Sequence, residues 1–209
     1  VKKHIKWLLP EPLDSAETHL QVLTDGRWQL TIVHDVLKGI SPTMLHWWFA
    51  NIGGEMIYQG QSYNRYRMWH PHDHIHWALI KPGPNGKAEV GSVFHIVEAF
   101  ARNPQYFINV YETVEKLDDS GIRLSNVRFG MSVSTLEHTF TAVGAGTLYR
   151  SCLLVGSGNP VIGRILNPFV RQRIFPEDMG RAWLKHNVEE VGNLEFFLPA
   201  LYEQVMRNG

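Results

Sequence analysis

The chain has 209 residues, of which 44% are hydrophobic, and its 20 basic side chains balance 20 acidic ones, a composition that fits one soluble globular domain and excludes a disordered chain. The charge balance also argues against a nucleic-acid partner. The densest basic stretch, 164–173, is short and interrupted by Ile165, Leu166, Pro168 and Phe169, where a nucleic-acid binder shows a basic stripe; it reads as a solvated loop or helix edge.

Residues 1–10 begin basic, but their apolar segment is too short for a signal peptide, and no later run approaches the ~18 apolar residues of a membrane span, so a cytoplasmic location is expected. Residues 1–27, with Pro10, Pro12, Asp14, Ser15 and Gly26, read as a covering arm, leaving 28–209 as a single catalytic domain. A strand is expected from Trp28 to Val36, where β-branched and aromatic residues cluster. A helix follows: Ser41 suits its N-cap, Pro42 its first position, and Met44, Leu45, Trp48 and Ile52 recur at helical spacing until Gly53-Gly54 stops it.

From Tyr63 to Val155 the chain reads mostly as strands separated by turns at 82–86, 118–121 and 144–146. Cys152, the only cysteine, falls in this region and has no disulfide partner within the chain. Gly156-x-Gly158 followed by Gly163 does not match the dinucleotide-binding fingerprint and reads as a loop. From Glu177 onward, Trp183, His186, Glu190, Leu194, Phe197, Leu201 and Val205 recur at steps of three and four, which places them on one face of a long helix, with Pro199 expected to kink it. The order implies an α+β fold in which a curved antiparallel sheet wraps the C-terminal helix and encloses a pocket.

Eleven histidines and seven tryptophans point toward metal or proton chemistry beside an aromatic pocket. His186 and Glu190 are one helical turn apart, with Cβ atoms about 5–6 Å from each other, so one ion can reach both. They continue an apolar stripe, and an ionised carboxylate buried there needs a cationic partner. In Trp69-His70-Pro71-His72-Asp73-His74-Ile75-His76 four histidines alternate. On an extended strand they share a face, but His70 and His74 then lie roughly 13 Å apart and cannot hold one ion together. A ligand from among His70, His72 and His74 is expected. Glu98 is the expected second carboxylate, being the only charge in the apolar run Val93–Phe100, with Glu112 and Glu115 as rivals. A set of two histidines and two glutamates suits Zn2+, and iron or manganese also accept such ligands. Tyr66, His138 and Tyr149 are candidates to hydrogen-bond a phenol or developing oxyanion, and Trp48 and Trp77 to form the pocket wall.

The Ser41–Phe49 helix, the Trp69–His74 segment, and His186-Asn187-Val188-Glu189-Glu190 followed by Phe197-Leu198-Pro199-Ala200-Leu201-Tyr202 together resemble the 2,4-diacetylphloroglucinol hydrolase family, whose relatives include phloretin hydrolase. The resemblance spans roughly Trp28 to Tyr202. It implies a Bet v 1-like helix-grip fold and a zinc ion held by two histidines and two glutamates. On this pattern His186 and Glu190 are helix ligands, and His74 is the strand ligand because Tyr66 then lies eight residues upstream, at the family's substrate-binding tyrosine. Glu98, His138 and Tyr149 match by order along the chain, and His70 stays near the pocket as the reserve ligand. Trp77 stands where the characterised hydrolase has asparagine. The implied activity is metal-dependent hydrolysis of a carbon–carbon bond in a ketone, splitting an acyl group from a polyhydroxylated aromatic ring and releasing a carboxylic acid. The expected partner is therefore a small aromatic ketone, and a homodimer is compatible with the sequence. The competing readings are a metal-free helix-grip carrier of an apolar or aromatic ligand, and a metal-dependent oxygenase.

Overall fold

The computed structural model describes residues 13–208 apart from 59 and 129, so the first twelve residues of the expected arm lie outside the described residues. Nine strands form one antiparallel sheet. Eight of them, β1 (Ala16–Val22), β2 (Trp28–His34), β6 (His74–Lys81), β7 (Val93–Ala99), β8 (Phe107–Asp118), β9 (Gly121–Arg128), β10 (Met131–Val143) and β11 (Gly146–Val155), run in the spatial order β1-β2-β11-β10-β9-β8-β7-β6, and the short β3 (Leu37–Lys38) pairs with β11. Pairing of β2 with β11 joins the N-terminal strand pair to the rest of the sheet, while β7 through β11 form a meander of hairpins. A separate hairpin, β4 (Glu55–Tyr58) and β5 (Gln61–Asn64), and the helices α1 (Pro42–Ala50) and α2 (Arg65–Trp69) fill the connection between β3 and β6.

Part of the expected arm belongs to the sheet. Residues 16–22 pair along their whole length with β2 as edge strand β1. Only Ala16, Thr18 and Leu20 turn inward there, with polar residues between them, so the apolar signal is too weak to mark a strand. By contrast, β2 alternates strictly, burying Trp28, Leu30, Ile32 and His34, the period-two pattern of a sheet with one covered face. Helix α1 begins as the sequence implies: Ser41 Oγ accepts a hydrogen bond from the Met44 N–H at 3.2 Å, and Pro42 occupies the first turn. The glycine-rich loop after β11 ends at α3 (Ile162–Phe169), which carries part of the basic stretch and continues as one wider helical turn over 170–174.

The sheet is covered by α4 (Glu177–Asn208), 32 residues and about 48 Å long at 1.5 Å per residue, which continues through Pro199. Its buried side chains fall into two groups. Met179, Trp183, Leu184 and Val188 pack with Trp28, Leu30 and Ile32 in one core cluster, whereas Val191, Leu194, Phe197, Leu198 and Leu201 pack with α1 and the middle strands in another. His186 and Glu190 sit at the junction of the two, which puts the polar residues of the helix beside the cavity between helix and sheet.

Candidate metal centre

Three elements bring the site together. Helix α2 is capped by Asn64, whose side chain accepts from the Arg67 N–H. It ends at His70, where the chain turns back so that the His74 N–H reaches the His70 carbonyl at 3.1 Å. Residues 69–76 are therefore a helix end, a turn and a strand start rather than one extended strand. The turn brings the His70 and His74 rings to 5.6 Å between centroids, less than half the separation that a strand imposes. Register then supplies the second element: His74 is the direct partner of Glu98 across β6 and β7, beside an irregularity between His74 and His76 that marks the end of regular pairing. The third is α4, which presents His186 and Glu190.

The four side chains converge. His74 Nε2 lies 3.3 Å from Glu98 Oε1 and 3.3 Å from Glu190 Oε2, and His186 Nε2 lies 3.7 Å from Glu98 Oε2 and from Glu190 Oε2. The ligating atoms of His74, Glu98 and His186 lie close enough together to hold one ion, Glu190 adds a carboxylate beside both imidazoles, and all four residues are buried. Each imidazole is held from behind. His74 Nδ1–H donates to the Tyr66 carbonyl at 2.7 Å, and His186 Nδ1–H donates to Asp73 Oδ2 at 3.1 Å. Because a carbonyl and a carboxylate can only accept, both Nδ1 atoms carry the proton and both Nε2 lone pairs face the site, the arrangement that outer-shell partners impose on metal-binding histidines. Among the described residues His74 Nε2 is buried without a hydrogen-bond partner. A lone pair in that state is costly unless a cation accepts it.

The electrostatics agree with that fit. Burial lowers His74 to about 4 and His186 to about 3, so both present neutral imidazoles. Burial also raises Glu190 to about 8, and it raises Glu98, with the neighbouring Glu190 charge adding to the effect and His74 opposing it. Two carboxyls pushed toward protonation beside two neutral imidazoles form a donor set that a divalent cation would neutralise. Tyr66 O–H donates to Glu98, and its ring stacks on His74 with centroids 4.0 Å apart.

Sequence reasoning did not single out Asp73. Besides His186 it accepts the backbone N–H groups of Ala101 and Arg102 at 3.0 and 3.1 Å; both residues have φ of 54°, the left-handed region that non-glycine residues seldom adopt. Burial alone would raise Asp73, but the His186 hydrogen bond and neighbouring positive charge outweigh it and bring Asp73 to about 2. Its signal in the sequence was one acid among four histidines. His34, Ser151 and Asn187 also went unnoticed. Asn187 donates to Glu190 and bonds His34 Nε2, which lies 3.2 Å from Ser151 Oγ, and Ser151 meets His138 Nδ1 at 2.9 Å.

The site opens on a cavity of about 520 Å³ whose wall includes Glu98, His186, Glu190, Tyr66, His138 and Trp77 and is otherwise mainly apolar. Three expected positions fall elsewhere. Trp48 is fully buried in the core, against Trp69 and Phe197, and does not line the cavity; the helical spacing that buried it could not distinguish core from cavity wall. Tyr149 lies behind His138, with His34, His138 and Phe140 around its ring and no partner for its hydroxyl among the described residues. His70 faces a separate outer cleft with Asp73, Lys185 and Glu189, bonding Glu189 Oε2 at 3.0 Å. Exposed His72 also lies on that cleft, which His186 lines from its inner side.

The fold and site define a helix-grip domain of the Bet v 1-like class with a buried histidine and carboxylate centre. The solved KanY protein has 11% identity and a TM-score of 0.52, covering 88% of this chain and 97% of its own. The major latex-like protein 151 of Panax ginseng has 13% identity and a TM-score of 0.52, covering 81% and 95%. Protein Ms6760 of Mycobacterium smegmatis also has 13% identity and a TM-score of 0.52, covering 88% and 97%. At these identities the likeness establishes the fold alone. No curated protein matches the chain. The DAPG hydrolase PhiG domain matches residues 2–203, and the chain belongs to that family.

Proposed function

We propose that this protein is a zinc-dependent hydrolase that splits the carbon–carbon bond between an acyl group and a polyhydroxylated aromatic ring, releasing a carboxylic acid. The carrying observation is the grouping of His74, Glu98 and His186 with Glu190 beside both imidazoles, next to a cavity that Glu98, His186 and Glu190 line, with the His74 Nε2 lone pair unpartnered among the described residues. Membership of a hydrolase family supports the reaction class. When bound, the ion would polarise a ketone or lower the pKa of a coordinated water. The chain's own residues supply the rest. Tyr66 and His138 face the cavity as hydrogen-bonding groups for ring hydroxyls, Trp77 and Phe94 offer aromatic walls, and the buried position excludes bulk water.

A metal-free carrier of the same fold would also enclose an apolar cavity, but it gives no reason to bury two carboxyls against two oriented imidazoles. Glu190→Gln is the discriminating change. Metal content and acid release from a panel of acylated phloroglucinols should fall together, and full turnover by metal-free protein would end the proposal.

A further inference from the structure

The polar side chains behind the cavity wall form one connected chain of hydrogen bonds, and its atoms fix where each proton lies. Strand register builds it. His138 on β10 is the direct partner of Ser151 on β11, and Ser151 in turn faces Ile32 on β2, with His34 two residues further on along the same inward side. Helix α4 lays Asn187 over them, and all four polar side chains are buried. A buried polar network is stable when each donor meets an acceptor, so the proton positions can be read from one end to the other.

Glu190 turns Oε2 toward His74 and His186 and leaves Oε1 to Asn187. A carboxylate only accepts, so the Asn187 amide nitrogen points at Glu190 and its Oδ1 points at His34 Nε2, 3.2 Å away. An amide oxygen cannot donate, and His34 therefore carries its proton on Nε2. The same N–H lies 3.2 Å from Ser151 Oγ, which makes that oxygen an acceptor and leaves its own proton for His138 Nδ1 at 2.9 Å. Were His138 Nδ1 protonated instead, two donors would point at the Ser151 hydroxyl and its own hydrogen would have no acceptor among the described residues. Burial lowers His34 to about 4 and His138 to about 3, so both rings are neutral and each has a single N–H. With Nδ1 accepting, the His138 proton sits on Nε2, which has no hydrogen-bond partner among the described residues, on a ring that lines the cavity. Tyr66, also on the wall, has given its hydroxyl proton to Glu98. Glu112 meets Phe94 across the β7–β8 ladder, four positions along β7 from Glu98. His138 thus adds a donor that the ligand set leaves uncommitted.

We infer that Ser151 is a positioning residue that holds His138 in its Nε2–H form, so that the cavity offers a hydrogen-bond donor there and takes a ligand with an acceptor oxygen at that point. The ligand class is an aromatic ring bearing a hydroxyl, phenolate or ring-carbonyl oxygen, and the forms with more negative charge on oxygen are held best. The proton position follows from the hydrogen bonds alone, while the choice of an acylated phloroglucinol as that ligand rests on the hydrolase reading.

The test is nitrogen-resolved NMR of zinc-loaded protein labelled at its histidine rings, with the His138 signals assigned by their loss in His138→Gln. Wild type should show a neutral His138 ring protonated at Nε2, and adding phloroglucinol should shift that signal. Ser151→Ala removes the donor to Nδ1. In it the Nδ1–H form should grow and the phloroglucinol Kd should rise on the order of threefold to tenfold, with zinc content unchanged. Ser151→Thr keeps a hydroxyl and should bring both back toward wild type. The assignment is overturned by a wild-type His138 protonated at Nδ1 or left unmoved by phloroglucinol. It is overturned equally by a Ser151→Ala protein in which the proton stays on Nε2 or phloroglucinol binds as before. Should the alanine variant not fold, the wild-type spectrum and its response decide. If wild type shows the stated proton position yet releases no acid from any acylphloroglucinol, the hydrolase reading falls and the role of Ser151 stands.

Discussion

Tyr66 holds His74 in two ways at once, accepting its Nδ1–H on the backbone carbonyl at 2.7 Å and stacking its ring on the imidazole at 4.0 Å. Its hydroxyl meanwhile donates to Glu98, a second member of the ligand set. Tyr66→Phe separates these roles, since it keeps the carbonyl and the ring but removes the hydroxyl. The expected result is metal affinity lowered by no more than about 10–150-fold, because one charge-assisted hydrogen bond contributes about 1.5–3 kcal/mol at most, together with a clear loss of turnover. Tyr66→Ala also removes the stack and should weaken metal binding further. Competition with a chromophoric chelator, alongside acid release, measures both.

The His186–Asp73 contact predicts a different pattern. Asp73→Asn keeps the size of the side chain but removes the charge that orients His186 Nδ1–H, and loss of such an outer partner typically lowers metal affinity by about 10–100-fold. Asp73→Ala additionally strands the N–H groups of Ala101 and Arg102 in their left-handed conformation, each at a cost of about 1–3 kcal/mol. The alanine variant should therefore show the larger drop in the urea midpoint of metal-free protein, since asparagine keeps one of the two accepting oxygens. Equal stability of the two variants would argue against the anchoring role of Asp73.

The proposed metal-binding group stands out in the sequence because charge inside an apolar pattern is expensive and therefore conspicuous. His186 and Glu190 interrupt the stripe of α4, and Glu98 interrupts β7. What periodicity could not show was the path of the chain. The turn at 70–73 is made by the backbone bond from His74 to His70 and the bond from the Asp73 N–H to His70 Nδ1, so alternation of histidines, which suggests a strand, did not reveal which imidazole meets Glu98 and Glu190. The edge strand β1 was hidden for a similar reason, since a strand with one open face and Ala, Thr and Leu on the other carries little apolar signal. Glu112 stood in the sequence as a rival ligand, and only the register of β7 against β8 removed it from the ligand set.

Metal-free protein should have a stability maximum near pH 6.5. His34, His74, His138 and His186 are lowered by burial to about 4, 4, 3 and 3, while their unfolded value is near 6.5. Below that pH the unfolded chain binds protons that the folded chain refuses, so the stability these groups contribute is lost as pH falls toward 4. Glu112 and Glu190 are raised to about 7 and 8, and Glu98 is raised as well. Their stabilising effect is complete below about 4.5 and is lost as pH rises through the folded values. The imidazoles outnumber the carboxyls on the acid side, and the carboxyls act alone on the alkaline side. Urea midpoints in chelator should therefore fall in both directions. Zinc should flatten the alkaline limb by keeping Glu98 and Glu190 ionised, and an alkaline limb unchanged by zinc would contradict their assignment as ligands.

Trp48 and Trp77 were read alike from the sequence, yet the structure gives them opposite roles. Trp48 is sealed in the core between Trp69 and Phe197, so Trp48→Ala should cost about 3–5 kcal/mol of stability, measurable as a lowered urea midpoint, with ligand affinity unchanged in the protein that remains folded. Trp77 is half-buried on the cavity wall, edge-on to Phe94, and lies so close to Gly53 that a Cβ added there would fall 2.3 Å from the indole Cζ3. A contact that short requires movement. Gly53 does not have a positive φ, so Gly53→Ala introduces no backbone strain and acts mainly by displacing the Trp77 ring. The expected outcome is a raised KM with metal content unchanged and a shift in tryptophan fluorescence that is absent in a Trp77→Phe background. If Gly53→Ala altered KM equally in that background, the ring would not be the route by which residue 53 shapes the pocket.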